Sequence, residues 1–140
     1  IGMGVLVITN QSVVGLGYLD LAGLETIHER LHELLQIEGA SIDKIYYCPH
    51  TSNDHCICRK PKPFLMIRAA KDWGFDPKTS FVIGDKTTDI ELGKNLSATT
   101  ILVRTGYGSQ VESEGIASPD YIVDSLADAP SVIRPIVHIL

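Results

Sequence analysis

The sequence predicts an α/β fold of the Rossmann-like type, in which helices cover both faces of a parallel sheet. Two observations carry this prediction. Short runs of β-branched and aliphatic residues, such as Val5–Thr9 and Thr99–Val103, have the composition of strands buried on both faces. Between such runs lie longer segments with apolar residues at helical spacing, and strands that alternate with helices imply right-handed βαβ units.

The predicted elements follow the chain in order. Strands are expected at Val5–Thr9, Ile42–Tyr47, Ser80–Gly84, Thr99–Val103 and Tyr121–Val123, and helices at Ala22–Glu38, from Pro63 to Gly74, at Ile90–Leu96 and from about Ser125 onward. We expect Asp20 and Thr88 to cap helices, Gly39 to end one, and Pro130 and Pro135 to bend or interrupt the last.

The bulk composition excludes several functions. The 140 residues contain 44% apolar and 21% charged residues and carry a net charge of −5, so we expect one globular domain over residues 1–140 that binds neither nucleic acid nor anionic membranes. No apolar run approaches the roughly 20 residues of a membrane span, and no secretory signal is evident. We therefore expect a cytoplasmic monomer that acts on a small molecule.

All three cysteines fall in one stretch, Tyr47–Lys62, which we call the cysteine loop. The spacing C-x-H-x5-C-x-C is formed by Cys48, His50, Cys56 and Cys58. Three cysteines do not favour a disulfide framework, because one of them would remain unpaired. Thiolates and an imidazole at this spacing predict a four-ligand structural zinc site. The alternatives are buried thiols with an incidental histidine, or His55 in place of His50.

Polar residues also end two other predicted strands. Thr9-Asn10 follows the first, and Gly84-Asp85-Lys86-x-x-Asp89 follows the third. Because ligands of parallel sheets bind at the carboxyl ends of strands, Asp85 is a candidate Mg²⁺ ligand, with Asp89 steadying the loop. The alternatives are local turn bonding for Thr9 and Asn10, and a helix-capping role for Asp85. His28 and His32 have metal-binding spacing on one helix without a third ligand, so they are read as a solvated face.

Together, three segments resemble the haloacid dehalogenase-like phosphatases, specifically their zinc-loop branch without a cap domain. The segments are Ile8-Thr9-Asn10-Gln11-Ser12, the cysteine loop with Cys58-Arg59-Lys60-Pro61-Lys62, and Val82-Ile83-Gly84-Asp85-Lys86 with Asp89. Members of this branch act on a heptose bisphosphate or on histidinol phosphate. Arg104-Thr105-Gly106-Tyr107-Gly108 favours the heptose side, and the resemblance spans about Gly4 to Gly108.

The resemblance implies a Mg²⁺-dependent phosphatase that acts through an aspartyl-phosphate on a small phosphorylated sugar. It implies catalytic roles for Thr9, which would hydrogen-bond the transferring phosphoryl group, and for Lys60, which would offset its charge. The other implied residues are Asn10, Gln11, Arg59 and Lys86 for substrate, Asp85 for Mg²⁺ with Asp89 behind it, and Cys48, His50, Cys56 and Cys58 for zinc.

The chain departs from the family pattern in two ways. The family nucleophile is the first aspartate of a D-x-D pair that follows an earlier strand, and no D-x-D occurs in these 140 residues. We therefore expect the first core strand to be missing, with strand edges left unpaired, and expect no turnover from this chain alone. Val13 and Leu16 replace the usual glycine and arginine of the substrate loop. A non-catalytic, zinc-stabilised phosphate-binding domain is the alternative from another class.

Overall fold

The structure is a computed structural model, and it describes residues 2–137. The chain divides into two compact units, Ile1–Ala69 and Ala70–Leu140, and each is described by itself. The single domain expected over residues 1–140 includes positions outside the described residues and stays a prediction.

The first unit contains a parallel pair of strands, β1 (Leu6–Asn10) and β2 (Lys44–Cys48), in which Leu6 is paired with Lys44 and Asn10 with Cys48. A short helix, α1 (Ser12–Gly15), follows β1, and α2 (Leu21–Ile37) leads to β2. Helix α3 (Phe64–Trp73) begins after the cysteine loop, which contains one turn of 3₁₀ helix at Ser52–Asp54. Parallel pairing sets the carboxyl ends of β1 and β2, and the loops that follow them, side by side.

Local signals explain the limits of α2. The Asp20 carboxylate accepts a hydrogen bond from the Gly23 backbone N–H at 2.7 Å, which caps the first turn as predicted. At the other end Gly39 has φ +69°, a left-handed conformation that glycine adopts without strain. Leu24 is buried and the His28 ring lies 5.6 Å from the Tyr47 ring, so this side of the helix packs on β2.

The second unit contains a three-stranded parallel sheet in the order β3 (Phe81–Gly84), β4 (Thr99–Val103) and β5 (Tyr121–Val123). Helix α4 (Thr87–Asn95) connects β3 to β4, α5 (Gly108–Glu114) lies between β4 and β5, and α6 (Ala129–Val137) follows β5. Two turns of 3₁₀ helix, Pro77–Thr79 and Leu126–Asp128, precede β3 and α6. Strand β5 forms the predicted edge of this sheet.

Alternate residues of β4 face opposite sides of this sheet, and both sides are covered. Ile101 and Val103 belong to a buried cluster with Ala129 of α6, whereas Leu102 packs with Ile90 of α4 and Val111 of α5. The α/β class is therefore confirmed, and helices cover both faces of the sheet in this unit.

The strands form where they were predicted, within two residues, but the structure has two sheets where one was expected. Every residue of β1 is half-buried, which makes the prediction of a strand buried on both faces wrong. Among the described residues, β1 has a hydrogen-bonded strand partner on one edge only, and the same is true of β3. A strand paired along a single edge retains more solvent contact than one inside a wider sheet.

Two predictions about helices were wrong in detail, and the helices α1 and α5 were not predicted. Lys86 rather than Thr88 holds the N-cap position of α4, because its N–H bonds the carboxylate of Asp89 at 3.1 Å. Pro130 and Pro135 both lie within α6, which they do not interrupt. Helix α5 was not predicted, because its polar sequence has only Gly108 and Val111 buried. In residues 2–137 we find no helix with the length and apolar content that a bilayer crossing requires.

Candidate active site and metal centre

The four predicted zinc ligands meet at the end of β2. The ligand atoms of Cys48, His50, Cys56 and Cys58 all lie within 4.8 Å of one another. The Cys58 Sγ atom is 2.8 Å from that of Cys48 and 3.7 Å from that of Cys56, and it is 3.2 Å from His50 Nδ1. Within residues 2–137 this is the one group of such side chains close enough to share a metal ion.

A short capped turn folds the loop back on itself so that Cys56 and Cys58 return to Cys48. The Thr51 backbone N–H and hydroxyl both donate to the Asp54 carboxylate, at 2.6 and 2.8 Å, and these bonds lower the pKa of Asp54. His55 then reverses the chain with φ +47°. His55 lies outside the metal-type cluster, so the geometry selects His50 as the histidine ligand.

The thiols of the cluster have different proton affinities. Cys48 is fully buried and Cys58 is 9% exposed. Burial, with the hydrogen bonds that the Cys58 thiol donates to Cys48 and Cys56, raises the pKa of Cys58 to about 12. Burial opposes ionisation of Cys56 as well, but hydrogen bonds from Cys48 and from the backbone of Arg59 and Cys58 lower its pKa to about 7. A cation placed among these sulfurs would favour the thiolate form of each.

The two residues after the cluster are fixed against the end of β1. The Asn10 side chain bonds the backbone of Lys60 twice, accepting from its N–H at 3.0 Å and donating to its carbonyl oxygen at 3.3 Å. The Lys60 Nζ atom donates to the carbonyl oxygen of Ile8 at 2.6 Å. The ammonium group therefore lies against the peptide group that joins Ile8 to Thr9 in β1.

The remaining predicted residues of the first unit surround the same strand end. The Gln11 side chain donates to the Thr9 hydroxyl at 3.0 Å. Arg59 donates to the Ser12 hydroxyl at 2.6 Å and to the His50 carbonyl oxygen at 3.1 Å. The structure thus brings a hydroxyl, an amide, a guanidinium and an ammonium group together within this unit. These are the donor types that a phosphoryl group requires.

In the second unit, Asp85 follows β3 directly. One of its carboxylate oxygens, Oδ2, accepts a hydrogen bond from the Tyr107 backbone N–H at 3.0 Å. The next residue, Lys86, has its ammonium group 4.7 Å from the centre of the Tyr107 ring. Asp89 is 7% exposed and caps α4 through the Lys86 N–H.

Sequence reasoning missed two contributors. Ser12 orients Arg59, and the Gly106-Tyr107 backbone lies directly against Asp85. A Cβ atom on Gly106 would lie 2.2 Å from the Asp85 Oδ2 atom, so any side chain there would force the carboxylate to shift. The glycines at 106 and 108 were a signal for such a close approach, since glycine permits a backbone to approach a carboxylate.

Comparison with known proteins identifies the family. The HAD-hydrolase-like family profile matches residues 57–129. A 7-phosphatase of D-glycero-beta-D-manno-heptose-1,7-bisphosphate from Pseudomonas aeruginosa is 37% identical over 132 residues, which cover 94% of this chain and 74% of that protein. The chain therefore belongs to the haloacid dehalogenase-like hydrolases, which confirms the resemblance drawn from the motifs.

Other relatives carry the same name. The Helicobacter pylori protein is 42% identical over 106 residues, covering 75% of this chain and 61% of its own length. Among solved structures, a D,D-heptose 1,7-bisphosphate phosphatase from B. bronchiseptica, crystallised with magnesium and phosphate, superposes with a TM-score of 0.87 at 29% identity. That match covers 98% of this chain and 75% of the other, and it confirms the Rossmann-like fold class.

Proposed function

We propose that the chain is the core of a Mg²⁺-dependent phosphatase that removes the 7-phosphate of D-glycero-β-D-manno-heptose 1,7-bisphosphate. The observation that carries the chemistry is the placement of Lys60 beside Thr9 at the end of β1, fixed by the Asn10 amide and the Ile8 carbonyl oxygen. The relatives named as heptose-bisphosphate phosphatases support the substrate.

The cluster at the end of β2 fits a structural zinc ion. In a tetrahedral shell with Zn–S bonds of about 2.3 Å, neighbouring sulfurs lie about 3.8 Å apart. The Cys48–Cys56 and Cys56–Cys58 separations of 3.5 and 3.7 Å match this spacing. The Cys48 and Cys58 sulfurs lie 2.8 Å apart, so they would move apart by about 1 Å to surround the ion. Four protein ligands fill the tetrahedron, so the ion would hold the loop rather than activate water.

Thr9, Lys60 and Arg59 would bind the phosphoryl group. The Thr9 hydroxyl has Gln11 as a donor at 3.0 Å, so its own proton can be directed at a phosphoryl oxygen. The Lys60 ammonium and the Arg59 guanidinium supply positive charge to a dianionic group. Val13, 39% exposed, and Leu16, 58% exposed, stand where the family carries glycine and arginine, so they would reshape the contact with the sugar.

In the second unit, Asp85 and Lys86 would supply a cation ligand and a positive charge. The half-buried Asp85 carboxylate suits a hard divalent cation, and Mg²⁺ bound there would neutralise charge and align the phosphoryl group for in-line attack. Asp89 would hold this loop through the Lys86 N–H. The free cysteines of the cluster support a reducing, cytoplasmic setting. The expected monomeric state also stays a prediction.

Phosphate release tests the proposal on the protein as its gene encodes it. We expect Mg²⁺-dependent release from D-glycero-β-D-manno-heptose 1,7-bisphosphate, with kcat/KM at least tenfold above that for histidinol phosphate. The 140 residues alone contain no D-x-D pair and should give no turnover. A preference for histidinol phosphate would reject the substrate, and Mg²⁺-dependent turnover by the purified 140-residue chain would reject the aspartyl-phosphate mechanism.

A further inference from the structure

The carboxylate of Asp85 is oriented by a loop that lies distant from it in sequence, residues 104–107, between β4 and α5. The Tyr107 N–H donates to Asp85 Oδ2 at 3.0 Å, and Gly106, with φ +63°, packs so closely that a Cβ would overlap that oxygen. Because one oxygen is tied to a backbone group, the direction of the other is set as well. The orientation of Asp85 thus depends on the position of this loop.

The same loop also holds Lys86. The Tyr107 ring lies 4.7 Å from the Lys86 ammonium group, within the range of a cation–π contact. One residue of the loop therefore contacts both a candidate Mg²⁺ ligand and the neighbouring cation. Displacement of Tyr107 would release the two charges together.

Arg104, at the start of the loop, is bonded to three other parts of the unit. Its Nε and one terminal nitrogen donate to the two carboxylate oxygens of Glu112 on α5, at 2.7 and 2.8 Å. The other terminal nitrogen donates to Asp124, after β5, at 2.6 Å. Its backbone N–H donates to the Val123 carbonyl oxygen at 2.9 Å, and its carbonyl oxygen accepts from the Ser109 N–H at 3.1 Å and hydroxyl at 3.0 Å.

The charges of this cluster are mutually stabilised. The hydrogen bonds that Arg104 donates to Glu112 and then to Asp124 raise the pKa of Arg104, and the same contact with Arg104 lowers the pKa of Glu112. Exposed ion pairs contribute little to global stability as a rule. A two-pronged guanidinium–carboxylate contact instead supplies geometric definition, which is what a loop pressed against a metal ligand needs.

We propose that Arg104 is a positioning residue for the Asp85–Lys86 pair, because its cluster with Glu112 and Asp124 fixes the loop whose Tyr107 holds both charges. The inference rests on the proposed function, in which Asp85 binds Mg²⁺. It extends that function because it gives Arg104 a role in Mg²⁺ affinity, which the sequence motifs did not assign to it.

The test is a titration of the ¹⁵N-labelled 140-residue chain with magnesium chloride, followed by NMR, together with hydrogen exchange of the Tyr107 amide. Arg104→Gln should weaken Mg²⁺ binding about tenfold, at the lower end of the range for residues that orient metal ligands. It should also raise the Tyr107 amide exchange rate at least tenfold. Arg104→Lys keeps the charge without the planar fork and should be intermediate. Glu112→Gln leaves the contact with Asp124 in place, so it should weaken Mg²⁺ binding and raise the Tyr107 exchange rate by smaller factors than Arg104→Gln does.

The control is Arg30→Gln, which makes the same chemical change in an exposed pair with Glu33 on α2. It should leave both readouts unchanged, and its thermal midpoint should match that of Arg104→Gln. The inference is overturned if Arg104→Gln binds Mg²⁺ as tightly as the wild type does. It is also overturned if the loss of Mg²⁺ affinity is accompanied by faster amide exchange throughout residues 70–137, because the whole unit would then be destabilised. The Asp85→Asn variant separates the two proposals. If it binds Mg²⁺ as tightly as the wild type does, Asp85 is not the ligand and the proposed Mg²⁺ site is rejected.

Discussion

Replacing Cys58 by serine should weaken zinc binding without disrupting the fold of β1 and β2. Cys58 Sγ lies within 3.7 Å of all three other ligand atoms, so it occupies one corner of the proposed tetrahedron. Structural zinc binding contributes about 10–16 kcal/mol at neutral pH, or about 3 kcal/mol for each of four ligands. Because 1.4 kcal/mol corresponds to a tenfold change, Cys58→Ser should weaken zinc binding by about a hundredfold.

The assay is competition with a chelating zinc indicator, combined with elemental analysis, which should find about one zinc per wild-type chain. His55→Asn is the matched control, because His55 lies in the same loop outside the cluster and asparagine tolerates its left-handed backbone. It should retain wild-type affinity. Wild-type zinc affinity in Cys58→Ser would refute the reasoning, and so would a wild-type chain that holds no zinc after gentle purification.

Two further predictions concern the second unit. Gly106→Ala should lower the unfolding free energy, measured by urea unfolding, by about 1–2 kcal/mol, because alanine is strained in the left-handed backbone conformation. It should also weaken Mg²⁺ binding, because the added Cβ would displace the Asp85 carboxylate. Gly115→Ala is the control: position 115 has φ +64° and open space around an added Cβ, so this variant should show the loss of unfolding free energy alone. Hydrogen bonds from Lys94 and Thr100 outweigh burial and lower the pKa of Asp120 below its ordinary value of 3.8, so its contribution to stability is present above about pH 4 and is lost as pH falls through the folded pKa. Asp120→Asn should therefore have a flatter acid limb in urea midpoints measured from pH 3 to 7, and an unchanged limb would contradict this.

The strands and the metal cluster were predictable because their signals are local. Short β-branched and aliphatic runs bounded by polar residues favour strands, and four ligand-type residues within eleven positions leave few geometries for a cluster. The choice between His50 and His55 was open in the sequence. The capped turn from Thr51 to Asp54 decides it, since that turn reverses the chain at His55.

The contacts that orient the charged groups were not predictable, because they join residues far apart in sequence. Asn10 bonds Lys60 across 50 positions, and Tyr107 bonds Asp85 across 22. In both contacts one partner is a backbone group, which leaves no pattern of side-chain types to recognise. The half-buried state of β1 has the same origin, since the burial of a strand depends on which neighbours pair with it.

The two units fix a charged group beside a strand in comparable ways. Each carries a charged group at the carboxyl end of a strand, and each holds it by a loop that arrives from elsewhere in the chain. In the first unit the cysteine loop delivers Lys60 to β1, where the Asn10 amide fixes its backbone. In the second, the loop anchored by Arg104 fixes the Asp85 carboxylate.

The anchors differ in how they would fail. All four ligands of the cluster hold one ion, so the removal of any one thiolate should weaken zinc binding by about a hundredfold and loosen the whole cysteine loop. Arg104 shares its charge between Glu112 and Asp124, so the loss of one carboxylate leaves the other contact in place. The larger effect expected at Cys58 and the smaller, graded effect expected at Arg104 therefore follow from the chemistry of the two anchors.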